Sequence, residues 1–145
     1  MKLSADIRQK IIRYFSEKPE IEAVYLYGSQ AKGFARSDSD IDLAILVNDK
    51  GNFRGFDIPQ TRYLYDLGKI THKEFEVQNL ESCPVDFAHR VISEGKILLG
   101  IDSKKRVEFE EKILREFFDM KPSIDEYFVY LSEIARKGEL GARYI

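Results

Sequence analysis

Two aspartates, Asp40 and Asp42, stand at the head of the apolar run Ile41–Val47, twelve residues or so after a Gly28-Ser29 pair. In an extended strand alternate side chains share a face, so both carboxylates should point the same way. Two like charges that close are unfavourable unless a cation or a donor compensates them. Hard oxygen ligands on a rigid strand suit Mg²⁺, which keeps several waters and takes few protein carboxylates, with a polyphosphate as its natural co-ligand. Gly28-Ser29 supplies the complementary part. Glycine lets the backbone approach a ligand closely, and a serine hydroxyl with exposed N–H groups can hold phosphate oxygens. Lys32 and Arg36 lie close behind and could neutralise charge on a triphosphate.

Each of these parts has a plainer explanation. A Gly-Ser pair is usually only a turn, and Asp-x-Asp can be a cap followed by a solvated residue. Asp42, however, leads straight into Leu43, Ala44, Ile45, Leu46 and Val47. A carboxylate inside an apolar strand has no structural reason to be there unless it is paired. His72 and His89 lack the spacing of a metal pair or of a nucleophile–base set, and are expected to be surface or satisfied residues. Cys83, the single cysteine, precedes Pro84 with no basic neighbour and is expected to be structural; one cysteine excludes an intramolecular disulfide and fits a reducing compartment.

The elements that must carry these residues follow from periodicity. Ile7, Ile11, Ile12 and Phe15 recur at helical spacing behind Ser4, a candidate N-cap, with Pro19 past the end. Residues 23–27 and 41–47 read as strands, the first apolar on both faces and so an inner strand. The segment 30–39 is polar, and residues 48–52 are turn-rich. A helix is expected over 58–70 with Asp57 as N-cap, a third strand over 75–80, and a helix from Pro84 to about Glu94 that stops at Gly95. Ile97-Leu98-Leu99 is a candidate edge strand. Helices over 104–119 and 124–137 close the chain, the second opened by a Ser123/Glu126 capping box. The tyrosines of this tail, Tyr127, Tyr130 and Tyr144, are expected to pack on the core. The order implies an α/β fold, a small mixed β-sheet flanked by helices. It forms a single domain over 1–145, with a core of about 1–100 and a helical tail of about 104–145.

Composition narrows the partners. The chain has 145 residues, 43% of them hydrophobic, which is enough for a core without staples. Charged residues make up 33%, but they balance to a formal net charge of -2, so neither a basic excess nor a basic stripe points to direct nucleic-acid binding. No stretch approaches a membrane span, and the first residues read as amphipathic helix, not as a secretory signal, so a cytoplasmic protein is expected.

Taken together, Gly28-Ser29, Ala31, Gly33 and Asp40-Ile41-Asp42-Leu43 resemble the gapped signature of the minimal nucleotidyltransferases of the DNA-polymerase-beta-like superfamily. The rest of the chain is similar more loosely, through element order and the segment Phe117-Phe118-Asp119-Met120-Lys121-Pro122. The resemblance implies the polymerase-beta-like fold and a Mg²⁺-dependent transfer of a nucleotide from ATP to a hydroxyl. Two metal ions would be held by Asp40, Asp42 and a third carboxylate on a neighbouring strand. Glu76 is the candidate, because alternation about Phe75 and Val77 turns it toward the aspartates. The family more often has Asp there, and Glu74, on the same face, is the runner-up. Ser29 would contact the β- and γ-phosphates, with Gly28 allowing the approach and Lys32 and Arg36 completing the nucleotide site. Small stand-alone members are commonly paired with a HEPN-type RNase toxin, so the resemblance also implies an antitoxin that adenylylates a toxin tyrosine. A small-molecule acceptor such as an antibiotic, or neutralisation by binding alone, are the rivals.

Overall fold

The computed structural model describes residues 4–28, 40–51, 60–120 and 124–136. Its frame is one four-stranded sheet of β1 (Ile21–Tyr27), β2 (Ile41–Val47), β3 (Phe75–Asn79) and β4 (Lys96–Leu99), in the order β3-β2-β1-β4. β1 runs antiparallel to both of its neighbours, and β3 runs parallel to β2. The sheet is therefore mixed, as the sequence implies, and the doubly apolar first strand is internal. Helix α1 (Ala5–Ser16) precedes β1, α2 (Gln60–Thr71) lies between β2 and β3, and α3 (Val85–Glu94) lies between β3 and β4. Two helices follow, α4 (Lys104–Met120) and α5 (Ile124–Arg136). No described helix is long and apolar enough to cross a membrane.

Strand alternation divides the core in two. One face of the sheet buries Val24, Leu26, Leu43, Ile45 and Val77 beneath Ile11 and Phe15 of α1 and Tyr63 and Leu67 of α2. On that side Tyr14, Phe15 and Tyr63 meet edge to face, with centroids 5.1 to 6.2 Å apart. Such pairs add roughly 0.5–1.5 kcal/mol each beyond the area they bury. The opposite face carries Ala23, Tyr25, Ala44 and Leu46 under Ala88, Val91 and Ile92 of α3 and Ile113 of α4. Asp42 and Glu76 belong to this second face by parity, at the end of the sheet where the covering helices give out.

Local signals in the sequence explain the element ends. The Ser4 hydroxyl accepts from the Ile7 N–H, an N-cap for α1. Gly95 closes α3, its N–H bonded to the Val91 carbonyl, and a Cβ there would press on the carbonyls of Val91 and Leu26. β1 starts two residues earlier than the apolar run suggests, because Glu22 finds partners: Ser103 donates to its carboxylate and Asn48 donates from its amide. The helix expected from 58 is seen from Gln60, and Asp57 lies outside the described residues, as do Ser123 and Tyr144.

α4 is fastened to β1 by a buried polar knot. The Tyr25 hydroxyl donates to Glu110 Oε2 at 2.5 Å, and Arg106 Nη1 donates to the same oxygen at 2.5 Å. Arg106 spends its remaining donors on the carbonyls of Gly100 (2.8 Å) and Ile101 (3.0 Å). With Arg106 3% and Glu110 7% exposed, neither charge could sit there alone. His89 is likewise buried and satisfied, as expected. It stacks on Phe117 at 3.7 Å and faces the hydroxyls of Tyr130 and Ser93. This contact seats α5 on α3, and it is the packing role foreseen for Tyr130. His72 is exposed, and with φ 59° it ends α2 by bonding its N–H to the Gly68 carbonyl.

Candidate active site

Three neighbouring strands deliver the site. Asp42 is the register partner of Tyr27 across the antiparallel β1–β2 pair, and of Glu76 across the parallel β2–β3 pair. Residues at matched register point to the same face, so Tyr27, Asp42 and Glu76 form one row across the sheet. Alternation alone makes Glu74 and Glu76 equivalent. Pairing separates them: both are exposed, but Glu74 lies just ahead of β3, with its carbonyl accepting from the Ile41 N–H at 2.9 Å, while Glu76 stands opposite Asp42.

Gly28 follows directly on β1 with φ +74°, a conformation that side-chain-bearing residues rarely adopt. A Cβ at this point would collide with Asp42 Oδ2 and crowd Asp42 Cγ at 3.2 Å. The glycine therefore does two things: it turns the chain at the strand end and leaves room for the carboxylate.

Among the described residues the electrostatics are those of an acidic pair without a cationic partner. Burial, then the Glu76 carboxylate and a hydrogen bond shared with it, then Asp40, lift Asp42 to about 6. Burial, then Asp42, Glu76 and Cys83, push the Tyr27 phenol above its ordinary value. Glu76 accepts a hydrogen bond from the Gln78 amide at 3.1 Å, but none of Asp40, Asp42 and Glu76 forms an ion pair among the described residues. Asp40 is exposed just ahead of β2, close enough to raise Asp42. It also borders a groove of about 800 Å³ whose walls include Tyr65, Gly68 and Lys69 of α2 and Phe75.

Among the described residues no group of three or more acidic, histidine or cysteine side chains is placed so that it could hold a metal ion. The chemistry of the donors still fits Mg²⁺: the set is oxygen-only, has no ion-pair partner among the described residues, and has one member already pushed toward holding a proton. Asp42 and Glu76 are register partners, Asp40 lies just ahead of β2, and Gly28 leaves space beside Asp42. Ser29, Lys32 and Arg36 lie outside the described residues. Cys83 is half-buried, its thiol donating to the Asn79 carbonyl at 3.2 Å, and burial pushes it up, in keeping with a structural role. Sequence reasoning passed over Tyr27, although its place immediately before Gly28 at a strand end was a usable signal.

Residues 9–104 match the family described as Polymerase beta, Nucleotidyltransferase. That is well over half of the chain, which thus belongs to this family and is an enzyme of the nucleotidyltransferase class. Among individual proteins it is similar to Protein adenylyltransferase MntA of Aphanizomenon flos-aquae (strain 2012/KM1/D3), with 25% identity over 125 residues, 81% of this chain and 82% of that protein. The fold matches a crystal structure of a toxin–antitoxin with AMP-PNP at TM-score 0.65 and 20% identity, covering 92% of this chain and 99% of that one. It also matches a re-refined structure of the tri-AMPylated Shewanella oneidensis HEPN toxin in complex with MNT antitoxin. There the TM-score is 0.61 and the identity 19%, over 89% of this chain and 96% of that one.

Proposed function

We propose that this chain is a single-domain protein adenylyltransferase that moves AMP from ATP to a tyrosine hydroxyl of a HEPN-type RNase toxin, acting in the cytoplasm as its antitoxin. The observation that carries the reading is the register pairing of Asp42 with Glu76 beside a glycine whose positive φ and closeness to the Asp42 carboxylate disfavour any side chain. The adenylyltransferase similarity supports ATP as the donor and a protein as the acceptor, and the AMP-PNP and AMPylated-toxin complexes support the same pairing of substrates.

In this reading Asp40, Asp42 and Glu76 hold Mg²⁺, which when bound lowers the pKa of the attacking hydroxyl and stabilises the departing pyrophosphate. The chain's own residues do the rest. Gly28 admits the nucleotide to the strand end, and Ser29, Lys32 and Arg36 hold the triphosphate oxygens. Asp42, poised near neutrality while no cation is present, stays ionised once a cation sits beside it. Adenylylation adds a phosphodiester charge and a bulky nucleotide to the toxin, which obstructs RNA both sterically and electrostatically.

The test is intact-mass spectrometry of the toxin encoded beside this gene, after incubation with the protein, ATP and Mg²⁺. A gain of one or more AMP units, lost with Asp42→Asn, is the expected result. An unmodified toxin that is nonetheless inhibited by the stoichiometric complex would replace this reading with neutralisation by binding alone.

A further inference from the structure

The row of side chains across the sheet does not end at the two carboxylates. Tyr27 occupies the third place, opposite Asp42 on the central strand. Its ring is held edge-on against Phe87 of α3, with centroids 5.6 Å apart and planes at 86°. Half-buried and fixed in this way, its hydroxyl makes no hydrogen bond among the described residues. The contrast with the other buried or half-buried tyrosines is plain. Tyr14 donates to Asp66, Tyr25 to Glu110, Tyr63 to Glu20 and Tyr130 to Ser93. A phenol held in place but given no acceptor among the described residues is an available donor, since such groups normally find a partner when removed from water.

The chemistry of its surroundings narrows what it would meet. A phenol beside acid side chains pairs best with an acceptor-only anionic oxygen. Tyr27 also sits one residue before the glycine that lets a ligand approach the strand end. We propose that Tyr27 is a nucleotide-binding residue whose hydroxyl donates to a non-bridging oxygen of the bound triphosphate, with Phe87 fixing the ring for that purpose. The proposal rests on ATP being the substrate. No proton leaves the phenol: the contact is a hydrogen bond held through binding, so its loss falls on affinity.

Calorimetric titration of the full chain with AMP-PNP and Mg²⁺, and separately with adenosine, tests this in wild type and in Tyr27→Phe. Phenylalanine keeps the edge contact with Phe87 and removes only the hydroxyl. The expected result is an approximately tenfold weaker affinity for AMP-PNP, the scale of one hydrogen bond to a charged group, with adenosine unchanged and the melting temperature within about 2 °C. Equal affinity of the two proteins for AMP-PNP would overturn the proposal and leave the phenol facing water. A parallel loss for adenosine and AMP-PNP would also overturn it, by turning the contact into one with the nucleoside. Should Tyr27→Phe lose its fold, ¹³Cζ-tyrosine NMR of the wild type serves instead. A signal near the bound nucleotide that moves with AMP-PNP and not with adenosine, traced to Tyr27 by paramagnetic Mn²⁺ broadening, supports the contact, and no such signal refutes it. If wild type itself fails to bind AMP-PNP, it is the adenylyltransferase reading that falls, a result distinct from either outcome for Tyr27.

Discussion

Asp42 Oδ2 occupies the space into which a side chain at Gly28 would have to project, so the turn and the carboxylate are built against each other. A methyl group at residue 28 faces two penalties at once, a positive φ of +74° and a collision with the Asp42 carboxylate, which would have to shift. Gly28→Ala should therefore lower stability by about 1–3 kcal/mol and remove transfer activity by displacing Asp42. Thermal melting together with a transfer assay checks this. Near-normal activity would mean that Asp42 can work from another position.

Asp42→Asn should part stability from activity. The carboxyl of Asp42 is raised above its ordinary value of 3.8 to about 6 in the fold, so the folded state binds its proton more tightly than the unfolded chain does. The stability it contributes is thus present at low pH and is lost as pH rises from about 4 through about 6. At pH 7 the metal-free Asn variant should be more stable than wild type by about 1 kcal/mol, the full shift being discounted for the side chain's partial exposure. Below pH 4 the two should converge. Denaturant melts across pH 3.5–7.5 measure this gap, and AMP transfer by the variant should be undetectable.

Glu76→Gln should reduce transfer far more than Glu74→Gln, by about a hundredfold against less than threefold, on the scale at which a ligand to a catalytic metal matters. The reason is that only Glu76 is a register partner of Asp42. Steady-state transfer at saturating ATP and Mg²⁺ decides the matter, and equal mild losses would move the third ligand elsewhere.

Glu110→Leu should cost about 3–5 kcal/mol, because it leaves the buried Arg106 guanidinium without its carboxylate and the Tyr25 hydroxyl without its acceptor. The double change Glu110→Leu with Arg106→Met should recover much of this. Urea midpoints of the single and double variants give the comparison.

Much of the site was legible because its grammar is local. An acid two residues before another, at the head of an apolar run, needs only strand periodicity to be read, and Asp40 and Asp42 were proposed that way. Glu76 was preferred to Glu74 from the sequence, but that it stands opposite Asp42 rests on the pairing of β2 with β3, which joins residues more than thirty positions apart and leaves no periodic trace in the sequence. β1 extends back to Ile21 for a similar reason: Glu22 is tolerated there by Asn48 and Ser103, both remote in sequence. The Tyr25–Glu110–Arg106 knot was invisible, since on a helix surface an Arg and a Glu four apart usually signify a solvated ion pair. Tyr27 was passed over because an aromatic residue in an apolar strand looks like core until its hydroxyl is seen to lack a partner among the described residues.

The central strand has one further consequence, for the order of events as the chain is made. β1 acquires β2 early, but its second neighbour begins only at Lys96, and the acceptor for the Tyr25 hydroxyl lies 85 residues downstream at Glu110. Since translation proceeds at roughly 5–20 residues per second, several seconds separate the appearance of Asp42 from that of the residues that lock the strand preceding it. During that interval the emerging chain carries its two aspartates on a sheet still open along one edge. A chain of this design completes the sheet that carries Asp42 late in its own synthesis, so if it acts as the proposed antitoxin, protection against a toxin made at the same time would have to be drawn from copies already finished.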